Sequence, residues 1–204
     1  GFCNYALKNY PERNIIAANE GNAVSIAAGH YFASKEIPLV YMQNSGMGNA
    51  VNPLVSLADE HVYAAPMLLL IGWRGRPGTK DWPQHELQGE ITPDLLKLMN
   101  IPYSILTDDI GNFKKVIKKA LAYCQTSRRS YALIAPKGVL DGEKMNRGVT
   151  DYSMSREEAI EVILNQMPKD TIYSATTGRA TRELFFLRER RNEGKEHDFL
   201  NVGS

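Results

Sequence analysis

The sequence predicts an α/β protein built on an open, mostly parallel sheet with helices on both faces. Short apolar runs alternate with longer stretches of helical periodicity along most of the chain, which is the pattern of βαβ units. Clusters of polar residues and glycines follow several of these apolar runs. Because parallel strands end at one edge of a sheet, and open α/β sheets bind ligands at that edge, we expect a ligand-binding protein.

The composition restricts the class of protein. The chain has 204 residues, enough for one large domain or two small ones, and its 24 Lys and Arg against 23 Asp and Glu give a net charge of +1, which indicates no nucleic acid partner. Cys3 and Cys124 lack the spacing of metal ligands or of a disulfide. No apolar run is long enough to span a membrane, and no signal peptide pattern is present. A cytoplasmic protein without a membrane partner is therefore predicted.

The amino-terminal third of the chain predicts two strand and helix units. Residues 15–19 are an apolar run that predicts the first strand, and residues 20–35, which are rich in small side chains, predict the following helix. The nearly continuous apolar run at residues 37–43 predicts a strand covered on both faces. Helical periodicity then extends over residues 49–60.

A long loop, residues 74–85, divides the next part of the chain. It contains glycine and proline breakers together with charged and aromatic residues, and loops of this length are usually functional or mobile. Pro93 marks the expected start of the helix that follows. The other elements predicted here are strands at 66–71, 103–106 and 131–135 and helices at 93–99 and 110–125.

The apolar periodicity lapses between residues 137 and 154, which predicts a linker between a domain at 1–136 and a second α/β domain at 155–204 that is only begun. Ser155, with Glu158 three residues later, predicts a capping box at the start of a helix. The further elements expected are a strand at 171–175, a helix at 178–190 and a strand from residue 199.

Three predicted junctions between a strand and a helix carry candidate site residues, and all three are expected at one sheet edge. Glu20 lies at the first junction, residues 44–49 form the second, and Thr176, Thr177 and Gly178 form the third. Free N–H groups at a helix start favour both a carboxylate such as Glu20 and a bound phosphate, so each cluster also has a purely structural interpretation as a cap or a tight turn.

The spacing of the glycines argues against a dinucleotide fingerprint at the second junction. Gly46 and Gly48 match its first two glycines, but Val51 occupies the third position, and the expected acidic residue about 20 positions later is missing.

The loop at 74–85 could bind an anion. Arg74, Arg76 and Lys80 could pair with a doubly charged group, although a solvated run of charges is the commoner explanation. His85 lies beside Asp81 and Gln84, which suggests substrate contact or proton transfer, although a lone histidine is usually structural. No metal-ligating cluster is predicted within the chain.

Eight segments of the chain match a known family in colinear order, namely residues 17–23, 41–54, 71–75, 81–85, 88–89, 176–178, 182–185 and 198–204. Through these segments the chain resembles the phosphonopyruvate decarboxylases, a family of thiamine-diphosphate enzymes related to the sulfopyruvate decarboxylases.

The resemblance implies a pyrimidine-binding domain at 1–136 that lacks its amino-terminal start, and the beginning of a diphosphate-binding domain at 155–204. Glu20 corresponds to the glutamate that hydrogen-bonds the pyrimidine ring of the cofactor. Mg²⁺ is expected to be held by ligands beyond the end of this chain. The other residues implied to contact the cofactor are Asn44, Ser45, Gly46, Met47, Thr176, Thr177, Gly178, Gly203 and Ser204.

The implied activity is decarboxylation of 3-phosphonopyruvate to phosphonoacetaldehyde and CO₂, by a homodimer or a larger homo-oligomer. This chain alone, without the Mg²⁺ ligands, is expected to be inactive. Two alternatives are a sulfopyruvate decarboxylase and a non-catalytic nucleotide-binding α/β module.

Overall fold

The computed structural model describes residues 2–140, 152–176 and 178–200. The chain divides into two compact units, Gly1–Met145 and Asn146–Ser204. Both units combine parallel strands with helices, which confirms the predicted α/β class. Most of the predicted linker, residues 141–151, lies outside the described residues. Within the described ranges, no helix is both long enough and apolar enough to cross a membrane.

The first unit is organised around a parallel sheet of four strands in the order β1-β2-β4-β3. Gln43, the last residue of β1, lies opposite Gly72 of β2, and Trp73, the last residue of β2, lies opposite Pro136 of β4. The carboxyl ends of these three strands are therefore nearly level, and the segments that follow them open at one edge. The strands are β1 (Leu39–Gln43), β2 (Leu68–Trp73), β3 (Tyr103–Ile105) and β4 (Tyr131–Pro136).

Helices cover both faces of this sheet, as predicted. Side chains of α2, α3 and α4 pack on one face, around Met42, Leu69 and Ile71. Side chains of α5 pack on the opposite face, around Leu70 and Leu133. The helices of this unit are α1 (Phe2–Asn9), α2 (Glu20–Ser34), α3 (Met47–Ser56), α4 (Pro83–Leu98) and α5 (Ile110–Ser127), with 3-10 turns at Pro11–Arg13 and Asn44–Gly46.

The second unit has a small core of its own, in which Leu164, Leu184 and Leu187 are buried. The predicted capping box is confirmed, because the Ser155 side chain accepts from the backbone N–H of Glu158 and the Glu158 side chain accepts from that of Ser155. The elements are α6 (Arg156–Gln166), β5 (Tyr173–Ala175), α7 (Arg179–Arg190) and β6 (Asp198–Leu200), with β5 and β6 parallel.

The predicted strand at residues 15–19 is wrong. Among the described residues no strand pairs with this segment, and Ile15 and Ile16 remain 70% and 79% exposed. A strand needs a neighbour to satisfy its backbone N–H and C=O groups, and an apolar run without one does not form a sheet. The expectation of a strand covered on both faces is also wrong for β1, because β1 lies at the edge of the sheet and leaves Leu39 and Tyr41 each 45% exposed.

Two helices differ from the sequence predictions. The pattern did not predict α1, and α4 begins at Pro83, ten residues before the expected start, and continues through Pro93. Gln84 and His85 therefore lie in the first turn of a helix, not in the loop.

The prediction that all three candidate junctions open at one sheet edge is also wrong. The junction at Thr176 follows β5, which belongs to the separate sheet of two strands in the second unit.

Candidate active site

Glu20 is the first residue of α2, and its position is fixed by its neighbours. Asn19 caps the helix by accepting a hydrogen bond from the backbone N–H of Asn22 at 2.9 Å. The Asn49 side chain donates to Glu20 Oε2 at 3.0 Å. No hydrogen bond to Oε1 is found among the residues that the structure describes. One carboxylate oxygen is therefore held, and the other is available to a ligand.

Gly46 provides the space in which this carboxylate lies. A Cβ atom at position 46 would overlap the Glu20 carboxyl group. Gly21 also allows α2 and α3 to approach closely, because a Cβ atom there would lie 2.8 Å from the Asn49 carbonyl oxygen. The structure thus brings together Glu20 and the glycine-rich turn before α3, two of the three predicted junctions.

Asn44 connects the ends of β1 and β2. Its side chain is 4% exposed, and its Oδ1 accepts from the Arg74 backbone N–H at 3.0 Å. Its Nδ2 donates to the Arg74 carbonyl and to Thr92 Oγ1, each at 2.9 Å. The amide of Asn44 thus bonds to the protein itself, and the contact of Asn44 with a cofactor stays a prediction.

The other two residues of this turn differ in their exposure. The Met47 side chain is buried in the core, at 2% exposure. Ser45 is partly exposed, and its hydroxyl donates to Gln43 Oε1 at 2.9 Å. Ser45 is thus the only one of Asn44, Ser45 and Met47 whose side chain lies partly at the surface.

Asp81 anchors the loop between β2 and α4. Its carboxylate accepts from Arg74 Nε at 2.8 Å and Arg74 Nη2 at 2.6 Å, and from the backbone N–H groups of Gly75 at 2.9 Å and Trp82 at 2.8 Å. The hydrogen bonds from the Arg74 guanidinium are the main reason that the pKa of Asp81 lies far below its usual value. Arg74 and Asp81 are thus a bidentate ion pair that fixes both ends of the loop.

His85 joins this pair from the first turn of α4. Its Nδ1 lies 2.9 Å from Asp81 Oδ1 and 3.0 Å from Arg74 Nη2, and its side chain is 14% exposed. Arginine only donates, so if Arg74 bonds to His85 Nδ1, the proton of the neutral imidazole is on Nε2. If the proton is on Nδ1 instead, Nδ1 donates it to Asp81. In either case the ring is held through Nδ1. The neighbouring Gln84 is exposed.

A close backbone contact underlies the same loop. Gly75 has a φ of +64°, and a Cβ there would overlap the His85 carbonyl, while a Cβ at Gly89 would overlap the backbone of Gly75. The indole Nε1 of Trp73 donates to the Gly89 carbonyl at 2.8 Å. This carbonyl has no helical partner because residue 93, four positions later, is a proline without an N–H.

From the sequence alone, none of these supporting residues was predicted to have a role at the site. The sequence does contain a pattern that could have indicated them. Gly75 and Gly89 are glycines, and Pro93 follows Gly89 by four residues.

Arg76 and Lys80 are exposed at the tip of the loop. The Arg76 guanidinium lies over the Trp73 ring, 5.5 Å from its centroid. Thr79 turns the chain between them, because its backbone N–H donates to the Arg76 carbonyl at 3.0 Å.

The remaining predicted site residues belong to the second unit. Gly178 has a φ of +101° and directly precedes α7, and the Thr176 carbonyl accepts from Thr181 Oγ1 at 2.6 Å. Thr177, Gly203 and Ser204 lie outside the described residues. Across the described part of the chain, no group of three or more His, Cys, Asp and Glu side chains could hold a metal ion.

The first unit is similar in sequence to a known protein domain. Residues 2–98 match the family model of the thiamine pyrophosphate enzyme, N-terminal TPP binding domain. Over these residues the chain is therefore similar to the N-terminal domain of the thiamine pyrophosphate enzymes.

The chain is also similar to phosphonopyruvate decarboxylases. It is 32% identical to those of Streptomyces viridochromogenes and Streptomyces hygroscopicus, in each case over 98% of this chain and over 53% and 52% of the relative. It is also 33% identical to sulfopyruvate decarboxylase subunit alpha of Methanococcus maripaludis, over 49% of this chain and 58% of that protein. The chain thus spans about half the length of the phosphonopyruvate decarboxylases that it matches.

Proposed function

We propose that the protein to which this chain belongs decarboxylates 3-phosphonopyruvate to phosphonoacetaldehyde and CO₂, using thiamine diphosphate and Mg²⁺. The observation that carries the proposal is the position of Glu20. Its carboxylate lies against Gly46 and accepts a hydrogen bond from the Asn49 side chain. The similarity to phosphonopyruvate decarboxylases over 98% of the chain supports the choice of substrate.

The residues of the first unit fit the pyrimidine part of the cofactor. Glu20 Oε1 has no partner among the described residues, so it can bind a ring nitrogen and hold a proton there while Asn49 fixes Oε2. Gly46 lies against this carboxylate, and Ser45 and Met47 are its neighbours in sequence, so Ser45 and the backbone at Gly46 and Met47 would line the same ligand. When bound, thiamine diphosphate supplies the electron sink for loss of CO₂.

The diphosphate part of the cofactor is assigned to the second unit. Thr176, Thr177, Gly178, Gly203 and Ser204 are proposed to contact it through hydroxyls and backbone N–H groups. Mg²⁺ prefers carboxylates and phosphate oxygens, and its protein ligands are proposed to lie outside residues 1–204.

His85 is proposed to move a proton at Nε2 during turnover. Asp81 and Arg74 hold its Nδ1, so the orientation of the ring is fixed and Nε2 is the nitrogen left for the substrate. Gln84, one residue earlier and exposed, is proposed to bind the substrate. This arrangement is that of a positioned acid or base, which typically contributes about 10²- to 10⁴-fold to a rate.

We further propose a homodimer or larger homo-oligomer in the cytoplasm. The thiols Cys3, exposed, and Cys124, buried, are both free, as is usual in a reducing compartment.

The function is tested with the full-length protein, loaded with thiamine diphosphate and Mg²⁺, by following the release of phosphonoacetaldehyde from 3-phosphonopyruvate. Sulfopyruvate is the second substrate to compare, because sulfopyruvate decarboxylase subunits are also among the relatives. A higher kcat/KM for sulfopyruvate would reassign the substrate. A protein that turns over neither acid, and that binds NAD or ATP in calorimetry instead of thiamine diphosphate, would be the non-catalytic nucleotide-binding module.

A further inference from the structure

The exposed charges of the loop between β2 and α4 suggest how the substrate is selected. We propose, on the basis of the function proposed above, that Arg76 and Lys80 bind the phosphonate end of the substrate, and that Arg74 does not. Residues 76–80 are named here the loop tip, and all five are exposed.

Arg74 is already neutralised. Its guanidinium makes a bidentate pair with Asp81, at 2.8 and 2.6 Å, and its Nη2 also lies 3.0 Å from His85 Nδ1. A guanidinium whose charge is balanced by a carboxylate attracts a second anion weakly, and releasing it would leave the Asp81 carboxylate, only 13% exposed, without its main partner.

Arg76 and Lys80 differ from Arg74 in this respect. Within the described ranges neither has an ion pair with a carboxylate, so their charges are not balanced locally. The Arg76 guanidinium is also oriented, because it lies over the Trp73 ring, which is itself fixed by its bond to Gly89. An oriented cation loses less conformational entropy when an anion binds to it.

The loop tip is held on a rigid frame. One end is fixed by the close contact of Gly75 with Gly89 and the other by Asp81, which bonds to the backbone at Gly75 and Trp82. Thr79 adds the turn between them. The two cations are therefore presented by a short segment with both ends fixed.

Hydrogen bonds at the start of the loop also connect the loop tip to the position of Glu20. The backbone of Arg74 bonds to the Asn44 side chain, and Asn44 lies two residues before Gly46, on which Glu20 rests. The loop thus starts beside the proposed pyrimidine site, at the same sheet edge.

The chemistry of the substrate fits this pair of cations. At neutral pH a phosphonate carries up to two negative charges, which a guanidinium and an ammonium can balance together. Pyruvate has no charge at this end of the molecule. The loop tip should therefore determine the preference for phosphonopyruvate over pyruvate.

The test measures kcat/KM for 3-phosphonopyruvate and for pyruvate in the full-length enzyme with thiamine diphosphate and Mg²⁺. Arg76→Gln and Lys80→Gln should each lower the ratio of the two values by about 10- to 100-fold, as expected for a lost charged hydrogen bond. Lys115→Gln is the matched control, because it removes one exposed charge from α5, and its ratio should stay within about twofold of the parent. Arg74→Gln should lower both values together and leave the ratio unchanged.

Calorimetry with 3-phosphonopropionate, which lacks the keto group, separates this inference from the proposed function. The parent should bind it about 10- to 100-fold more tightly than the Arg76→Gln and Lys80→Gln variants. If the parent shows this difference but decarboxylates neither phosphonopyruvate nor sulfopyruvate, only the proposed function fails. If both variants keep the parent's ratio and affinity, or if Arg74→Gln alone lowers the ratio, the loop tip does not bind the phosphonate.

Discussion

The proton exchange proposed for Glu20 needs a carboxylate in a fixed position, and one neighbour in the 3-10 turn before α3 and one in α3 provide it. Gly46 gives it room and Asn49 holds one of its oxygens. Two substitutions test this position of Glu20, and each should reduce activity without unfolding the protein.

Glu20→Gln should fold normally and lose about 10²- to 10⁴-fold in kcat, because an amide cannot exchange the proton. The measurement is turnover of 3-phosphonopyruvate by the full-length enzyme, with thermal unfolding as the check on folding. A variant with nearly the parent's kcat would remove Glu20 from the mechanism.

Gly46→Ala should displace the Glu20 carboxylate while leaving the fold intact. The φ of Gly46 is −83°, which alanine adopts without strain, and the group in the way is the end of a flexible side chain. We expect kcat to fall at least tenfold and the free energy of unfolding to change by less than about 1 kcal/mol.

Gly29→Ala is the matched control for this prediction. Gly29 lies in the middle of α2, where a Cβ atom would meet no atom within 4 Å. This variant should keep its activity. Equal losses in the two variants would contradict the proposed role of Gly46.

At the scale of the element, α4 continues through a proline because another group replaces the missing helical hydrogen bond. The Gly89 carbonyl, which loses its partner at Pro93, accepts from the Trp73 indole instead. The proline therefore ties the helix to the end of β2, next to the loop that carries the candidate substrate residues.

A double-mutant cycle tests this exchange of donors. Trp73→Phe leaves the Gly89 carbonyl without a partner, which costs about 1–3 kcal/mol in addition to the lost packing. In a Pro93→Ala background the new backbone N–H can bond to Gly89. The cost of Trp73→Phe should then be about 1 kcal/mol smaller, measured by denaturant unfolding. Equal costs in both backgrounds would show that the indole and the backbone N–H do not replace one another at the Gly89 carbonyl.

Whether an element could be predicted from the sequence depended on whether its cause was local. Local signals worked where the cause was local, as in the capping box at Ser155 and in the apolar runs that became β2 and β4. Pro93 wrongly predicted a helix start. The indole that bonds to the Gly89 carbonyl belongs to Trp73, 16 residues before Gly89, and no local pattern shows this contact. Similarly, the run at 15–19 has the composition of a strand, but pairing with a neighbour decides whether a strand forms.

The candidate site was predictable only in part, for the same reason. Glu20 and Gly46 could be named from their places at junctions, but their contact depends on how α2 packs beside α3. The inward orientation of Asn44 depends on Arg74 and Thr92, 30 and 48 residues away. No local pattern contains such partners.

At the scale of the whole molecule, the two units have separate cores, and the second unit also contains a buried arginine. Arg188 donates from Nε to Asp198 and from Nη1 to Glu193, each at 3.1 Å, and lies over the Tyr173 ring at 5.3 Å. The Asp198 side chain is 1% exposed, and its Oδ1 has no partner among the described residues. Loss of Arg188 would leave this buried carboxylate without its cation.

Arg188→Met should therefore destabilise the second unit by about 3–5 kcal/mol and leave the first unit unchanged. Hydrogen exchange on the intact chain is the measurement, because it reports each segment separately. Amides of α7 and β6 should lose protection, whereas those of β2 and β4 should not. Equal loss in both units would show that they unfold together.

The contact between Gly75 and Gly89 has a consequence for engineering. No other residue fits at either position without moving the backbone, so a library of variants that retain the fold should keep glycine at both. Of the five residues between Gly75 and Asp81, Gly78 has a φ of +78° and should also stay glycine, whereas the other four are exposed and have no such restriction. If the proposed function and the proposed role of the loop tip hold, exchanging these four residues should yield variants selective for other 2-oxo acids.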